Sequence, residues 1–195
     1  MPATDVHLSK TLSWLLRHKL QVSTDGYISV ANLLNHESLK GKYTVADIKR
    51  VVETNNKQRF TLRYKNNTLE ICANQGHSIK YVDLYLIPIL TSDGIEAIHG
   101  TYYHNWTKIK TEGLSRMQRN HIHFAIGLPD NKSVISGMRR QVEVFIYVNL
   151  NLAILDGIKF YKSSNGVILS SGNDRGIIEP KYFLKVCDVN GKSLF

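Results

Sequence analysis

Arginine and histidine side chains beside glycines and other turn residues are the groups in this sequence that could do chemistry. They occur in five short stretches, residues 15–18, 73–78, 99–101, 121–124 and 137–140. The guanidinium group is planar, always charged and bidentate, which makes it the preferred ligand for phosphate oxygens. A histidine next to a glycine offers both its ring and an unobstructed backbone amide to a ligand. Each stretch taken singly is most simply a surface charge or a satisfied core histidine, but together they indicate a binding site.

The composition indicates a globular protein with a polyanionic partner. The 195 residues are 43% hydrophobic and 21% charged, which excludes disorder along most of the chain. An excess of 25 Lys and Arg over 16 Asp and Glu gives a net charge of +9, which favours nucleic acid over an anionic membrane surface. The sequence contains no apolar run of transmembrane length and no secretion signal at residues 1–9. We therefore expect an intracellular protein, in the cytoplasm or the nucleus, with no membrane partner.

Several familiar catalytic motifs are absent from the sequence. It has no P-loop, no G-x-G-x-x-G after a strand, no G-x-S-x-G elbow and no H-E-x-x-H helix, so Walker NTPases and Rossmann domains are not supported. Two cysteines, Cys72 and Cys187, are too few for a structural zinc site. His121 and His123 would share a strand face but lack a neighbouring carboxylate or thiol, so no metal site is predicted.

Three helices and a hairpin are predicted in the first half of the chain. Apolar residues recur at helical spacing from Leu8 to Leu16, which predicts a helix whose last turn is Arg17-His18-Lys19. A short helix around residues 33–34 follows, and Thr44 is the expected N-cap of a third helix. Alternating apolar residues on both sides of residues 65–67 then predict a β-hairpin. This order of elements is typical of a winged-helix module, which by itself does not define a function.

The second half of the chain is predicted to be mostly β. A nearly continuous apolar segment at residues 81–90 is followed by turn residues 91–94, where we place a domain boundary. A helix is expected at residues 106–112, and strands at 121–126, 142–148, 167–170 and 182–186. The predicted fold class is therefore α+β, with a winged-helix-like lobe at residues 1–92 and a mostly β lobe at residues 93–195.

In these stretches the sequence resembles the RNA 2′-phosphotransferase family, NAD-dependent enzymes that remove the 2′-phosphate left at tRNA splice junctions. The most distinctive matches are Gln75-Gly76-His77-Ser78 and His99-Gly100-Thr101. Further matches lie at residues 8–10, 15–18, 25–27, 57–60, 121–125, 137–139 and 165–167, so the likeness covers nearly the whole chain. It implies an ADP-ribosyltransferase-like C-terminal lobe, NAD consumed as a co-substrate, no metal, and an RNA substrate, expected to be spliced tRNA. A monomer is expected.

The resemblance also implies a two-step reaction in a cleft between the lobes. The RNA 2′-phosphate attacks the anomeric carbon of the nicotinamide ribose, which releases nicotinamide and leaves an ADP-ribosylated RNA. The ribose 2″-hydroxyl then attacks the phosphorus. The products are RNA with a free 2′-hydroxyl and ADP-ribose 1″,2″-cyclic phosphate.

Site residues follow from the same resemblance, position by position. The implied catalytic residues around the RNA 2′-phosphate are Arg17, His18 and Arg139, together with the position of Cys72. The implied NAD-binding residues are His99, Gly100, Thr101, His123, Asn165, Gly166 and Val167. The implied substrate-binding residues are Gln75, His77, Ser78 and Arg140. An apolar Val167, where many relatives carry Glu, suits a nucleophile that is already an anion.

Cys72 is the one departure from the implied pattern, which has an arginine immediately before Ala-Asn-Gln-Gly-His-Ser. A thiol is mostly neutral at pH 7 and cannot make a forked phosphate contact. Three explanations stay open: an engineered substitution, a natural variant compensated by Arg59, Arg63 or Arg140, or weakened catalysis. On this reasoning Cys72→Arg is expected to raise turnover.

Two other functions are compatible with the same residues. One is an RNA-binding protein whose ADP-ribosyltransferase lobe is weakened at Cys72. The other is an ADP-ribosyltransferase that acts on terminal nucleic-acid phosphates, because the same basic residues could accept a different phosphate.

Overall fold

The computed structural model describes residues 3–92, 94–128, 136–139 and 141–195, in which helices and strands are mixed. This mixture confirms the α+β class in its coarse form. The residues form two units, Met1–Tyr85 and Leu86–Phe195. The division between the units therefore lies seven residues before the boundary between residues 92 and 93 that we placed from the sequence. In the described part of the chain, no helix is long and apolar enough to cross a bilayer.

The first unit contains three helices and one three-stranded sheet. Its elements are α1 (Ala3–Trp14), a π-helical turn (Leu15–Lys19), β1 (Tyr27–Ser29), α2 (Val30–Leu34), α3 (Val45–Glu53), β2 (Phe60–Lys65) and β3 (Thr68–Ala73). The predicted N-cap of α3 is confirmed, because Thr44 accepts from the backbone N–H of Asp47 while the Asp47 carboxylate accepts from that of Thr44. The predicted helices and hairpin are confirmed as well.

The hairpin places β3 in the middle of the sheet, with order β1-β3-β2 and antiparallel pairing throughout. Its two-residue turn is Asn66-Asn67, with φ of 48° and 58°. Asparagine tolerates this left-handed region, which matches the twist of the flanking strands. Because neighbours along a strand point to opposite faces, Ile71 and Ala73 lie in the core under the helices and Cys72 lies on the other face.

The second unit is mostly β, as the sequence predicts. Its elements are β4 (Ile87–Ile89), β5 (Ile98–Thr101), α4 (Tyr103–Glu112), β6 (Leu114–Ser115), β7 (Ile122–Phe124), β8 (Val144–Val148), α5 (Leu150–Leu155), β9 (Phe160–Lys162), β10 (Ile168–Ser170), β11 (Ile177–Ile178), a 3₁₀ turn (Pro180–Tyr182) and β12 (Phe183–Asp188). The strands form sheets β4-β9-β10-β7 and β12-β8-β5 and the pair β11-β6. A bridge between Ile98 and Ala125 places β5 next to the end of β7.

Candidate functional site

Arg17 and His18 lie on the π-helical turn that ends the first helix. Leu15 and Leu16, both fully buried, anchor this turn in the core of the first unit. The Leu20 N–H donates to the Leu15 carbonyl at 2.9 Å, which widens the last turn by one residue. Such π turns are frequent at functional sites, because they project side chains that a regular helix would not. Sequence periodicity predicted the helix but not this change of pitch.

The Gln-Gly-His-Ser stretch packs directly against that turn. Ser78 Oγ lies 2.9 Å from His18 Nδ1, and the Ser78 N–H donates to the Arg17 carbonyl at 3.0 Å. Gly76 has φ of 90°, and a Cβ built there would lie 3.4 Å from the Arg17 guanidinium carbon. Glycine is favoured here by the left-handed backbone, and the Arg17 side chain lies in van der Waals range of this position. Two stretches separated by about sixty residues thus form one site.

A groove of about 420 Å³ opens beside Arg17 and His18, and we call it the basic groove. The described residues that line it are Val6, Ser9, Lys10, Ser13, Trp14, Arg17, His18 and Arg59. None of these lining residues is a carboxylate. The basic groove can therefore attract an anion with planar guanidinium donors and an imidazole.

Arg59, which the sequence suggested as an arginine that could compensate for Cys72, also lines this groove. Its guanidinium Nη1 lies 3.5 Å from Asn55 Oδ1, and among the described residues no carboxylate lies within ion-pair distance of it. Burial lowers the pKa of Arg59 because no opposite charge compensates for the lost hydration. A bound anion would therefore stabilise the charged form of Arg59 by replacing part of the lost hydration.

Cys72 has different surroundings. It is 5% exposed on the central strand, and it is paired in register with Tyr27 and Thr61. Burial raises the pKa of its thiol, so the side chain is neutral at pH 7. Cys72 is not among the residues that line the basic groove.

Of the arginines that could compensate for Cys72, the structure describes Arg59 and Arg63 and places them in different surroundings. Arg63 is held by Asp25 and Glu70, each at 2.7 Å, and its guanidinium lies 3.5 Å from the centre of the Tyr27 ring. Arg59 lines the basic groove. Arg140 lies outside the described residues. Gln75 and His77, the remaining implied substrate ligands, are buried in the first unit.

In the second unit, His99 is held in one orientation by β7. His99 Nδ1 lies 3.0 Å from the His123 carbonyl, and its ring meets Phe124 edge-on. A carbonyl oxygen only accepts, so Nδ1 carries the proton and Nε2 of the neutral ring is an acceptor. Burial lowers the pKa of His99, which favours this neutral form. His99 can therefore accept a hydrogen bond from a hydroxyl or an amide.

Three segments of the second unit carry the other predicted site residues. Gly100 is in close contact with Met138, since a Cβ built at Gly100 would lie 2.5 Å from Met138 Cγ. Thr101 is buried and pairs with β8, and Arg139 is exposed. The turn of Asn165, Gly166 and Val167 leads into β10, whose Leu169 pairs with His123 on β7. Val167 is fully buried, and Ser163 closes the turn through bonds to Asn165 and Val167.

Arg119 is a cation of the second unit that the sequence motifs did not indicate. Burial lowers the pKa of Arg119, and repulsion from Arg139 lowers it further. Two guanidinium groups close enough to repel each other favour an anion between or beside them. Its position two residues before His121 was the only sequence signal. Among the described residues, no group of three or more His, Cys, Asp or Glu could hold a metal ion.

Comparisons with a family model and with individual proteins all identify RNA 2′-phosphotransferases. The family model described as RNA 2′-phosphotransferase, Tpt1 / KptA family, matches residues 3–172. The chain is 46% identical to tRNA 2′-phosphotransferase 1 of Danio rerio, covering 92% of this chain and 84% of that protein. It is 43% identical to tRNA 2′-phosphotransferase 1 of Homo sapiens, with 92% and 74% covered. It is 42% identical to tRNA 2′-phosphotransferase of Saccharomyces cerevisiae, with 86% and 79% covered.

Proposed function

The chain belongs to the RNA 2′-phosphotransferase family, and from this premise we propose that it transfers the 2′-phosphate of a tRNA splice junction to ADP-ribose derived from NAD. The observation that carries the proposal is the basic groove, with Arg17, His18 and Arg59 on a wall free of carboxylates among its described lining residues. Phosphate oxygens match this set of donors in charge and geometry.

Arg17 and Arg59 are proposed to bind the oxygens of the 2′-phosphate. The Arg17 side chain lies against Gly76, since a Cβ built there would be 3.4 Å from the guanidinium carbon. Ser78 Oγ lies 2.9 Å from His18 Nδ1 and so orients the His18 ring in the wall of the basic groove. In this proposal Arg59 supplies a second guanidinium beside Arg17, and a thiol at Cys72 is therefore compatible with activity.

The second unit is proposed to bind NAD, which supplies the ADP-ribose that accepts the phosphate. Its residues fit a nucleotide, because His99 Nε2 is an acceptor for a ribose hydroxyl or for the carboxamide. Arg119 and Arg139 add positive charge suited to phosphate groups. The two units are proposed to be a winged-helix-like lobe and an ADP-ribosyltransferase-like lobe. Stabilisation of phosphate charge and correct positioning are then the means of catalysis.

An assay with NAD and RNA that carries an internal 2′-phosphate tests the proposal. We expect nicotinamide release, a free RNA 2′-hydroxyl and ADP-ribose 1″,2″-cyclic phosphate, and no reaction with matched RNA that has a 2′-hydroxyl. Reaction only at a 5′-phosphorylated end would indicate a terminal ADP-ribosyltransferase instead. RNA binding with no product under any condition would indicate a binding protein.

A further inference from the structure

Trp14 is an exposed tryptophan on the wall of the basic groove. Its side chain is 46% exposed, whereas Trp106, the other tryptophan of the chain, is 7% exposed. Trp14 and Arg17 line the same groove. The indole therefore borders the same cavity as the guanidinium that we place on the 2′-phosphate.

Cations surround this indole. Lys19 Nζ lies 5.3 Å from the centre of the ring, and Lys10 lines the same groove. The acidic residue nearest along the helix, Asp5, is buried and bound by both nitrogens of a fork on Arg50, at 3.2 and 2.9 Å. The surface around Trp14 thus combines a flat apolar ring with positive charge. This combination suits single-stranded nucleic acid, whose bases stack on aromatic rings while its phosphates contact lysines and arginines.

We propose that Trp14 is the stacking platform for a nucleobase at the phosphorylated junction of the RNA. The inference rests on the proposed function, because it takes the 2′-phosphate to be bound by Arg17 in the same groove. Stacking depends little on which base is present, since every base has a flat face. Trp14 is therefore a positioning residue that holds the junction in place, and it contributes affinity without sequence preference.

Intrinsic fluorescence tests the contact directly in the full chain. The ligand is a 2′-phosphorylated oligoribonucleotide, compared with a matched oligonucleotide that is abasic at both junction nucleotides. A base stacked on Trp14 should quench the emission of wild-type protein, and the abasic ligand should not. In Trp14→Phe, where only the buried Trp106 emits, the quenching should be absent.

Binding constants distinguish stacking from a merely structural role. Trp14→Ala should bind the intact oligonucleotide roughly five- to 150-fold more weakly than wild type, the loss expected for one base stacked on an aromatic ring. On the abasic oligonucleotide the two proteins should bind equally. The matched control is Tyr64→Ala, because Tyr64 is 69% exposed and also carries a lysine over its ring, Lys49 at 5.9 Å, but lies on β2 outside the basic groove. Tyr64→Ala should bind both ligands as wild type does.

Either of two results would overturn the inference. One is binding of the intact oligonucleotide by Trp14→Ala within twofold of wild type. The other is an equal loss on the intact and abasic ligands, which would mean that Trp14 supports the helix rather than a base. Failure of the proposed function is separately visible, because wild type would then bind 2′-phosphorylated and 2′-hydroxyl oligonucleotides equally.

Discussion

Arg59 and Arg63 lie four residues apart in the sequence, and the structure assigns them opposite roles. The Arg59 guanidinium lines the basic groove and, among the described residues, makes one long hydrogen bond, to Asn55, whereas the Arg63 guanidinium is bound by Asp25 and Glu70. We predict that Arg59→Ala lowers activity and preserves stability. We predict that Arg63→Ala lowers the free energy of unfolding and preserves activity.

The expected magnitudes follow from these contacts. A charge-assisted hydrogen bond to phosphate contributes about 1.5–3 kcal/mol, so Arg59→Ala should lower kcat/KM by about 10- to 150-fold. Its stability should change little, because the Asn55 side chain also accepts from the Arg59 backbone N–H, which the substitution keeps. Arg63→Ala removes two partly exposed ion pairs and the contact with Tyr27, which together should lower the free energy of unfolding by about 1–2 kcal/mol.

Two measurements on both variants check this reasoning. The first is kcat/KM for 2′-phosphorylated RNA at saturating NAD, and the second is the free energy of unfolding from urea titration. Arg59→Lys is an informative third variant, because it keeps the charge but loses the fork and should recover only part of the activity. The assignment would be refuted if Arg59→Ala kept kcat/KM within threefold of wild type. It would also be refuted if the folded Arg63→Ala protein lost as much activity as Arg59→Ala.

Three further predictions concern Cys72, His99 and Asp47. The burial of Cys72 changes the expected result of Cys72→Arg: a guanidinium forced between Tyr27 and Thr61 should lower the free energy of unfolding by about 2–4 kcal/mol and should not raise turnover. A urea titration beside an activity assay checks this, with Cys72→Ala as the control that should keep activity. Because the pKa of His99 is lowered in the folded protein, the unfolded chain binds a proton at this residue first as the pH falls. The free energy of unfolding should therefore decrease below about pH 6.5, and this decrease should be smaller in His99→Gln. Thermal melting of both proteins between pH 5 and 8 tests this prediction. The pKa of Asp47 is lowered to about 2, chiefly by its bond to the Thr44 hydroxyl, so its stabilisation should be complete at neutral pH and be lost as the pH falls from about 4 towards 2. Asp47→Asn should show a shallower loss over that range, and an identical acid titration would contradict the capping argument.

Local patterns in the sequence were sufficient for much of the fold. The leucine spacing predicted α1, Thr44 and Asp47 predicted the start of α3, and alternation predicted the hairpin, because helical and strand periods are recorded in neighbouring residues. Short strands such as β4, β6 and β11 were not predicted, because a two- or three-residue strand has too few residues to show a period. Their pairing depends on partners distant in the chain.

The sequence by itself determined the family, because its motifs can be recognised in order without knowledge of the fold. It also predicted Arg17, His18 and Ser78 as site residues, and the structure brings these three together. Only the tertiary structure decided which other side chains join them. Arg59 and Cys72 are 13 residues apart (72−59), and nothing local distinguishes their access to a ligand. The register of β3 as the central strand buries Cys72, while the end of the loop before β2 leaves Arg59 in the basic groove. The burial of a side chain and its access to a ligand depend on the order of the strands and on the face of the sheet to which the side chain points. Both are set by pairing between segments that are distant in the sequence.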